Sequence, residues 1–169
     1  MKKGLIIAVV MLFGALQLNA QRVGYINSEK ILSVIPEYKN AQDQLAGFAA
    51  QYQQKIEDEY SKIEAMYQSY QQQKGTLSAS ARQQREDEII KREQTVKELQ
   101  KTYFGQDGLM QKKSKELLDP IMERVNAAVK KIAENDNFMI IFDTALLQGV
   151  AYARPSDDLS QAVIKVLGY

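Results

Sequence analysis

The chain has 169 residues, with 22 Lys and Arg against 21 Asp and Glu, no His and no Cys. This near-neutral balance argues against nucleic acid as a partner, because phosphate binding draws on a concentrated excess of Lys and Arg. Without His or Cys there is no common general base, no usual zinc ligand, no thiol chemistry and no disulfide, so neither a metal, a cofactor nor an enzymatic site is expected.

The chain opens with Lys2-Lys3, an apolar run from Leu5 to Leu16, and Gln17-Leu18-Asn19-Ala20 ahead of Gln21-Arg22. This order predicts a secretory signal peptide over 1–20, cleaved after Ala20, and hence an exported protein. The apolar run is shorter than the roughly 20 residues of a spanning helix, and no second long apolar segment follows. No membrane span is therefore expected in the mature chain, which carries one more acidic than basic residue once Lys2 and Lys3 are removed.

Val23-Gly24-Tyr25-Ile26 reads as a short strand and Ser28 to Leu32 as one or two helical turns. From Glu37 to Glu134 spaced apolar residues run without proline until Pro120, interrupted by Lys74-Gly75-Thr76-Leu77-Ser78-Ala79-Ser80. The spacing predicts a long antiparallel helical hairpin, a coiled-coil arm over 37–134 with its tip at 75–80. Pro36 suits the helix start and Gly75 the stop. Its ascending stripe is Leu45, Phe48, Tyr52, Ile56, Tyr60, Ile63, Tyr67 and Tyr70; its descending stripe includes Ile89, Val96, Leu99, Tyr103, Ile121, Val125 and Ile132.

With the tip centred between Leu77 and Ser78, residue i faces residue 155 − i. That places Gly47 opposite Gly108 and Pro120 beside Ile35 and Pro36. Each glycine weakens a helix by about 1 kcal/mol relative to Ala, so Gly47, Gly105 and Gly108 form a candidate hinge, or mark close approach or a helix end.

Phe138 to Phe142 reads as a strand and Val150-Ala151-Tyr152-Ala153 as a weaker one, with Ser156 or Asp157 capping a last helix that buries Leu159, Val163, Val166 and Leu167. The flanking segments, 21–36 and 135–169, make a body too small to stand without staples or partners. Oligomerisation is the device left, with Val23, Tyr25, Ile26, Phe138, Ile140, Phe142 and Tyr152 as candidate residues of the shared body. The fold class expected is mainly α with a small β body, the long antiparallel hairpin carried on a short-stranded sheet completed between subunits.

The acidic clusters Glu57-Asp58-Glu59 and Glu86-Asp87-Glu88 read as solvated faces, since consecutive helical residues point in different directions. Fifteen glutamines lie within 37–134; they suit an exposed helix, or an adaptable surface for unfolded polypeptide beside the candidate client-contacting residues Tyr52, Tyr60, Tyr67 and Tyr70.

On its opening Arg22-Val23-Gly24-Tyr25-Ile26-Asn27-Ser28-Glu29-Lys30-Ile31-Leu32, its hairpin, the Phe138 to Asp143 strand and the Asp157-Asp158-Leu159-Ser160 helix start, the chain resembles the Skp/OmpH family of periplasmic chaperones. The resemblance implies a homotrimer whose small strands form a shared β-barrel body, with three helical arms around a cavity. It also implies ATP-independent holding of unfolded outer-membrane proteins. Well-known members are strongly basic and this chain is not, so capture is expected to come from many weak contacts held together by the arms. A structural or adaptor coiled coil docking onto an envelope complex through its tip, at Leu77 and Arg82, is the alternative.

Overall fold

The computed structural model describes residues 22–169. The expected signal peptide over 1–20 lies outside the described residues. The described elements are β1 (Arg22–Ile26), α1 (Ser28–Ser33), α2 (Pro36–Gln73), α3 (Ala79–Phe104), α4 (Leu109–Asn135), β2 (Phe138–Asp143), a 3-10 turn (Pro155–Asp157) and α5 (Ser160–Leu167). They fall into two compact units. One combines the described residues up to Ile31 with Asn126–Tyr169; the other is Leu32–Val125.

The second unit is a helical hairpin. Pro36 occupies the first turn of α2, where its missing N–H would have no partner anyway. α2 then runs without interruption to Gln73. After the tip, Ser78 caps α3 by accepting from the Ala81 N–H at 3.2 Å. Ile56, Ile63 and Tyr70 from α2 cluster with Ile89 and Val96 from α3, and Met66, Leu77, Leu99 and Tyr103 pack against them. Seven-residue steps in both helices keep one face of each turned to the other, the pattern of a coiled-coil seam.

The descending limb is two helices rather than one. Gly105 ends α3, its N–H bonded to the Lys101 carbonyl at 2.8 Å, and the Gly108 N–H bonds back to Gly105 O at 2.9 Å. A Cβ on Gly105 would lie 2.4 Å from Lys101 O, and one on Gly108 would lie 2.8 Å from Gly105 O. Both positions need glycine because backbone oxygens fill the space. Asp107 between them takes a left-handed φ of 60°.

Tyr52 stacks on Tyr103, as 155 − i requires. Beyond the break, however, Lys113 reaches Phe48 and Arg124 reaches Glu37, each six residues further along than the rule allows. Lys113 and Arg124 make these contacts with the ends of long side chains, on the far side of the non-helical residues 105–108. Gly47 lies inside α2 with open space where its Cβ would be. Of the three glycines, Gly105 and Gly108 thus mark the end of one helix and the start of the next.

In the first unit, β1 and β2 pair in parallel, with Val23 opposite Ile140, Gly24 opposite Ile141 and Tyr25 opposite Phe142. A bulge between Arg22 and Val23 lets Arg22 pair with Phe138 and sets its guanidinium over that ring. Asn137, at φ 55°, turns the chain from α4 into β2. The buried apolar residues of this unit include Ile26, Ile31, Ala128, Ile132, Val163 and Ile164.

The expected strand at Val150 to Ala153 is absent: 148–154 has no regular structure. The last helix also begins later than expected. Asp158 bridges Tyr25, and the Leu159 N–H donates to Tyr25 O at 2.8 Å. Those contacts hold 158–159 extended along β1, so helix can start only at Ser160. Leu159 rather than Ser156 or Asp157 is the N-cap residue, with no side-chain cap of its own, and the preceding Asp158 carboxylate accepts from the Ser160 N–H at 2.9 Å. Val163 and Ile164 form the buried face, whereas Val166 is exposed.

The glycine geometry separates the three positions in a way that circular dichroism melting can read. Gly47→Ala should stabilise the protein, by up to about 1 kcal/mol, because it removes backbone freedom at an unobstructed helical site. Gly105→Ala and Gly108→Ala should each lower the melting temperature, because the new methyl meets backbone.

Candidate functional site

Among the described residues no cluster of His, Cys, Asp and Glu could hold a metal ion. Neither is any buried side-chain polar atom left without a partner among them. The surfaces that distinguish this molecule are apolar and polar flanks, and each unit carries its own.

On the hairpin, the four candidate tyrosines part ways. Tyr70 is buried, 4 % exposed, with its hydroxyl donating to Glu86 Oε1 across the seam. That acceptor, then burial, raises the Tyr70 pKa. Tyr52 is half-buried, its ring 4.3 Å from that of Tyr103 and nearly parallel to it, with Phe104 edge-on at 6.3 Å. Tyr60 and Tyr67 are 44 % and 49 % exposed. Two of the four are therefore seam residues, and two are open surface.

Sequence reading missed the polar layer of the seam. Counting in sevens from Tyr52 places Glu59 and Met66 in line with it, so Glu59 belongs to the seam rather than to a solvated acidic run. Its side chain is 22 % exposed and pairs with Arg92 of α3 at 3.2 Å and Lys62 at 2.5 Å. The Lys62 hydrogen bond, opposed by burial and helped by the Lys62 and Arg92 charges, holds the Glu59 carboxyl below its ordinary range.

Glutamines are tied down locally. Gln53 donates to Glu57, Gln54 to Asp58, Gln83 to Asp87 and Gln84 to Glu88, all four residues apart on one helix. They support the long helices in the manner of other i,i+4 pairs.

At about 100° per residue, Tyr60 and Tyr67 lie on one flank of the seam, and Lys55, Glu59, Lys62 and Met66 on the other. Three cavities open on that second flank. One of about 410 Å3 is lined by Lys62, Arg92, Thr95, Val96, Leu99 and Tyr103 among others. The next, about 320 Å3, shares Arg92 and Thr95 with it and adds Met66. A third, about 290 Å3, shares Met66 and ends at Tyr70, Arg85 and Ile89. The shared walls make them one groove.

In the sheet unit, Val23, Ile140 and Phe142 are exposed and Tyr25 half-exposed on one face of the two strands. Leu146 and Tyr152, in the irregular segment after β2, are 80 % and 79 % exposed. Together with Leu147 and Val150, Tyr152 walls a cavity of about 270 Å3 over Val23, Tyr25 and Phe142. The other candidate body residues look inward: Ile26 is buried, and Phe138 is half-buried beneath Gly24, where a Cβ would meet its ring at 3.0 Å.

This face is held by a compact polar node. Ser160, wholly buried, accepts from the Asn27 N–H at 2.8 Å and donates its hydroxyl to Asp158 at 2.5 Å. Asn27 caps α1 by accepting from the Lys30 N–H, and Asp143 accepts from the Ser28 N–H. Lys30 lies 3.7 Å from Asp158. Burial alone would raise the Asp158 pKa, but the Ser160 hydrogen bonds and Lys30 outweigh it and hold the carboxyl low. Burial, then the Asp158 and Asp157 charges, push the Tyr25 hydroxyl up.

Residues 22–167 match the family model described as outer membrane protein (OmpH-like). The chaperone protein Skp of Yersinia enterocolitica is 26 % identical over 146 residues, covering 86 % of this chain and 85 % of its own length. The chaperone protein Skp of Vibrio cholerae serotype O1 is 26 % identical over 156 residues, with coverages of 88 % and 84 %. The crystal structure of an OmpH-like protein of Caulobacter crescentus matches with a TM-score of 0.66 at 13 % identity, over 86 % of this chain and 82 % of that one. That likeness is one of fold.

Because folding lowers the Asp158 pKa, the carboxylate stabilises the protein fully above the ordinary Asp range near pH 4 and loses that contribution as pH falls through the lowered value. Asp158→Asn should therefore cost about 1.5–3 kcal/mol at neutral pH, the scale of hydrogen bonds to a charged group, and flatten the acid limb of a stability-against-pH curve. An unchanged acid limb in urea titrations would show that the node does not carry this linkage.

Proposed function

The chain belongs to the OmpH-like family, and on that premise we propose that it is an ATP-independent holdase. It binds unfolded outer-membrane β-barrel proteins in the periplasm and prevents their aggregation on the way to the outer membrane. The observation that carries the reading is the amount of apolar surface left open on a chain with no His and no Cys. Patches of that kind mark interaction sites on soluble proteins. The relatives are chaperones by name.

Two sets of contacts divide the work. Val23, Tyr25, Ile140, Phe142 and Tyr152 of the sheet unit join three copies into a closed trimer, for which a cyclic arrangement of one patch against another suffices. Tyr60 and Tyr67 then offer clients apolar area with a wettable end. Each contact is weak, and several act at once because they share one scaffold. Leu77 packs against the hairpin seam, which takes apolar surface away from the tip and favours walls over the tip as the working surface.

Light scattering should give a mass of three chains for the purified, export-processed protein, and a stoichiometric trimer should suppress aggregation of a diluted, urea-unfolded porin. Failure of that suppression overturns the holdase reading. The Tyr60→Ser/Tyr67→Ser double variant should lose about 1 kcal/mol of capture, raising the concentration for half-suppression roughly fivefold. Arg82→Ala at the tip should change it little, whereas an adaptor docking through its tip would show the reverse.

A further inference from the structure

The tyrosine flank leaves the opposite side of the hairpin without a task. The groove there has an apolar floor of Val96, Leu99 and Tyr103 and a rim bearing cations, Lys62 and Arg92, beside carboxylates, Asp58 and Glu59. It runs on past Met66 to Ile89 and Arg85. Both hydrogen-bond donors and acceptors therefore line its edges, and apolar side chains recur between them, Leu99 and Tyr103 at one end, Met66 in the middle and Ile89 at the other.

A ligand that satisfies such a slot has one apolar edge, one polar edge and little net charge. An extended amphipathic strand has that form, because successive side chains point to opposite sides. Its unpaired backbone N–H and C=O groups need both carboxylate acceptors and ammonium or guanidinium donors. Length agrees as well. From Tyr103 to Arg85 the α3 wall spans about 27 Å at roughly 1.5 Å per residue, which holds about eight residues extended at about 3.3 Å each. A membrane β-strand is about 9–11 residues long and alternates apolar and polar side chains.

We infer that the groove between α2 and α3, on the flank opposite Tyr60 and Tyr67, is a slot for one extended, alternating apolar and polar strand of a non-native barrel protein. The inference rests on the holdase reading and names the part of the client that is gripped. Thr95 lines two of the three cavities and is exposed, so a large side chain there blocks the slot without entering the buried seam. The Lys97 side chain is exposed as well and leaves the helix about 160° around from Thr95.

The test uses the export-processed full chain and a fluorescein-labelled ten-residue peptide that alternates apolar and polar residues, with a control peptide of the same composition whose apolar residues form one block. Anisotropy titration should show the alternating peptide binding at least tenfold more tightly than the blocked one. Thr95→Trp should weaken that binding at least tenfold, and Lys97→Trp should leave it within twofold. Equal binding of the two peptides, or no effect of Thr95→Trp in a variant with native circular dichroism, overturns the slot. Porin aggregation measured alongside separates the two claims. Suppression that persists without the peptide preference removes the slot and leaves the holdase, whereas loss of suppression in the unaltered protein removes both.

Discussion

The seven-residue repeat of apolar side chains in α2 and α3 is the constraint on which the hairpin depends. Ile56, Ile63 and Tyr70 return to one face of a 38-residue helix, and Ile89 and Val96 do the same on α3. A face this narrow buries little area per residue, so long helices are needed to bury enough. It also leaves two open flanks along the whole seam. That is a poor way to build an enclosed pocket, and an economical way to present long surfaces.

Polar contacts then decide how the seam is aligned. The Tyr70 hydroxyl on Glu86 ties the end near the tip, and Glu59 with Arg92 and Lys62 ties the middle. Removing one member of such a layer leaves the other charge partly buried and unpaired, which gives these residues more influence on alignment than on net stability. Glycine at 105 and 108 ends one helix and begins the next through backbone contacts that admit no Cβ. Beyond that break the contacts to α2 are made by the ends of long side chains, Lys113 on Phe48 and Arg124 on Glu37, rather than by a continued apolar seam.

The sheet unit shows the opposite economy. Two parallel strands of five and six residues are held by hydrogen bonds converging on Asn27, Asp158 and Ser160. Its apolar residues divide between a small interior and an exposed face of Val23, Ile140 and Phe142. Parallel sheets are ordinarily covered on both sides, and two strands alone are too few for independent stability. The open apolar face of this sheet is the surface that the proposed trimer would cover.

Much of this architecture was legible in the chain before any coordinates. Pro36, the break at 74–80 and the apolar spacing between them located α2, α3 and the turn, because helix propensity and period are local properties. Strands β1 and β2 were legible for the same reason. Local signals could not place Tyr70 inside the seam and Tyr60 outside it, since both satisfy a spacing of three or four and each has a stripe residue seven away, Ile63 for Tyr70 and Tyr67 for Tyr60; only the neighbour across the turn separates them. Nor could they foresee that Asp158 would be drawn alongside Tyr25, delaying α5 to Ser160, or that Val150 to Ala153 would find no strand to pair with. Period, propensity and charge reside in consecutive residues and are determined by the sequence itself, whereas pairing across more than a hundred residues depends on which partner reaches which backbone group. That choice was made by the tertiary structure.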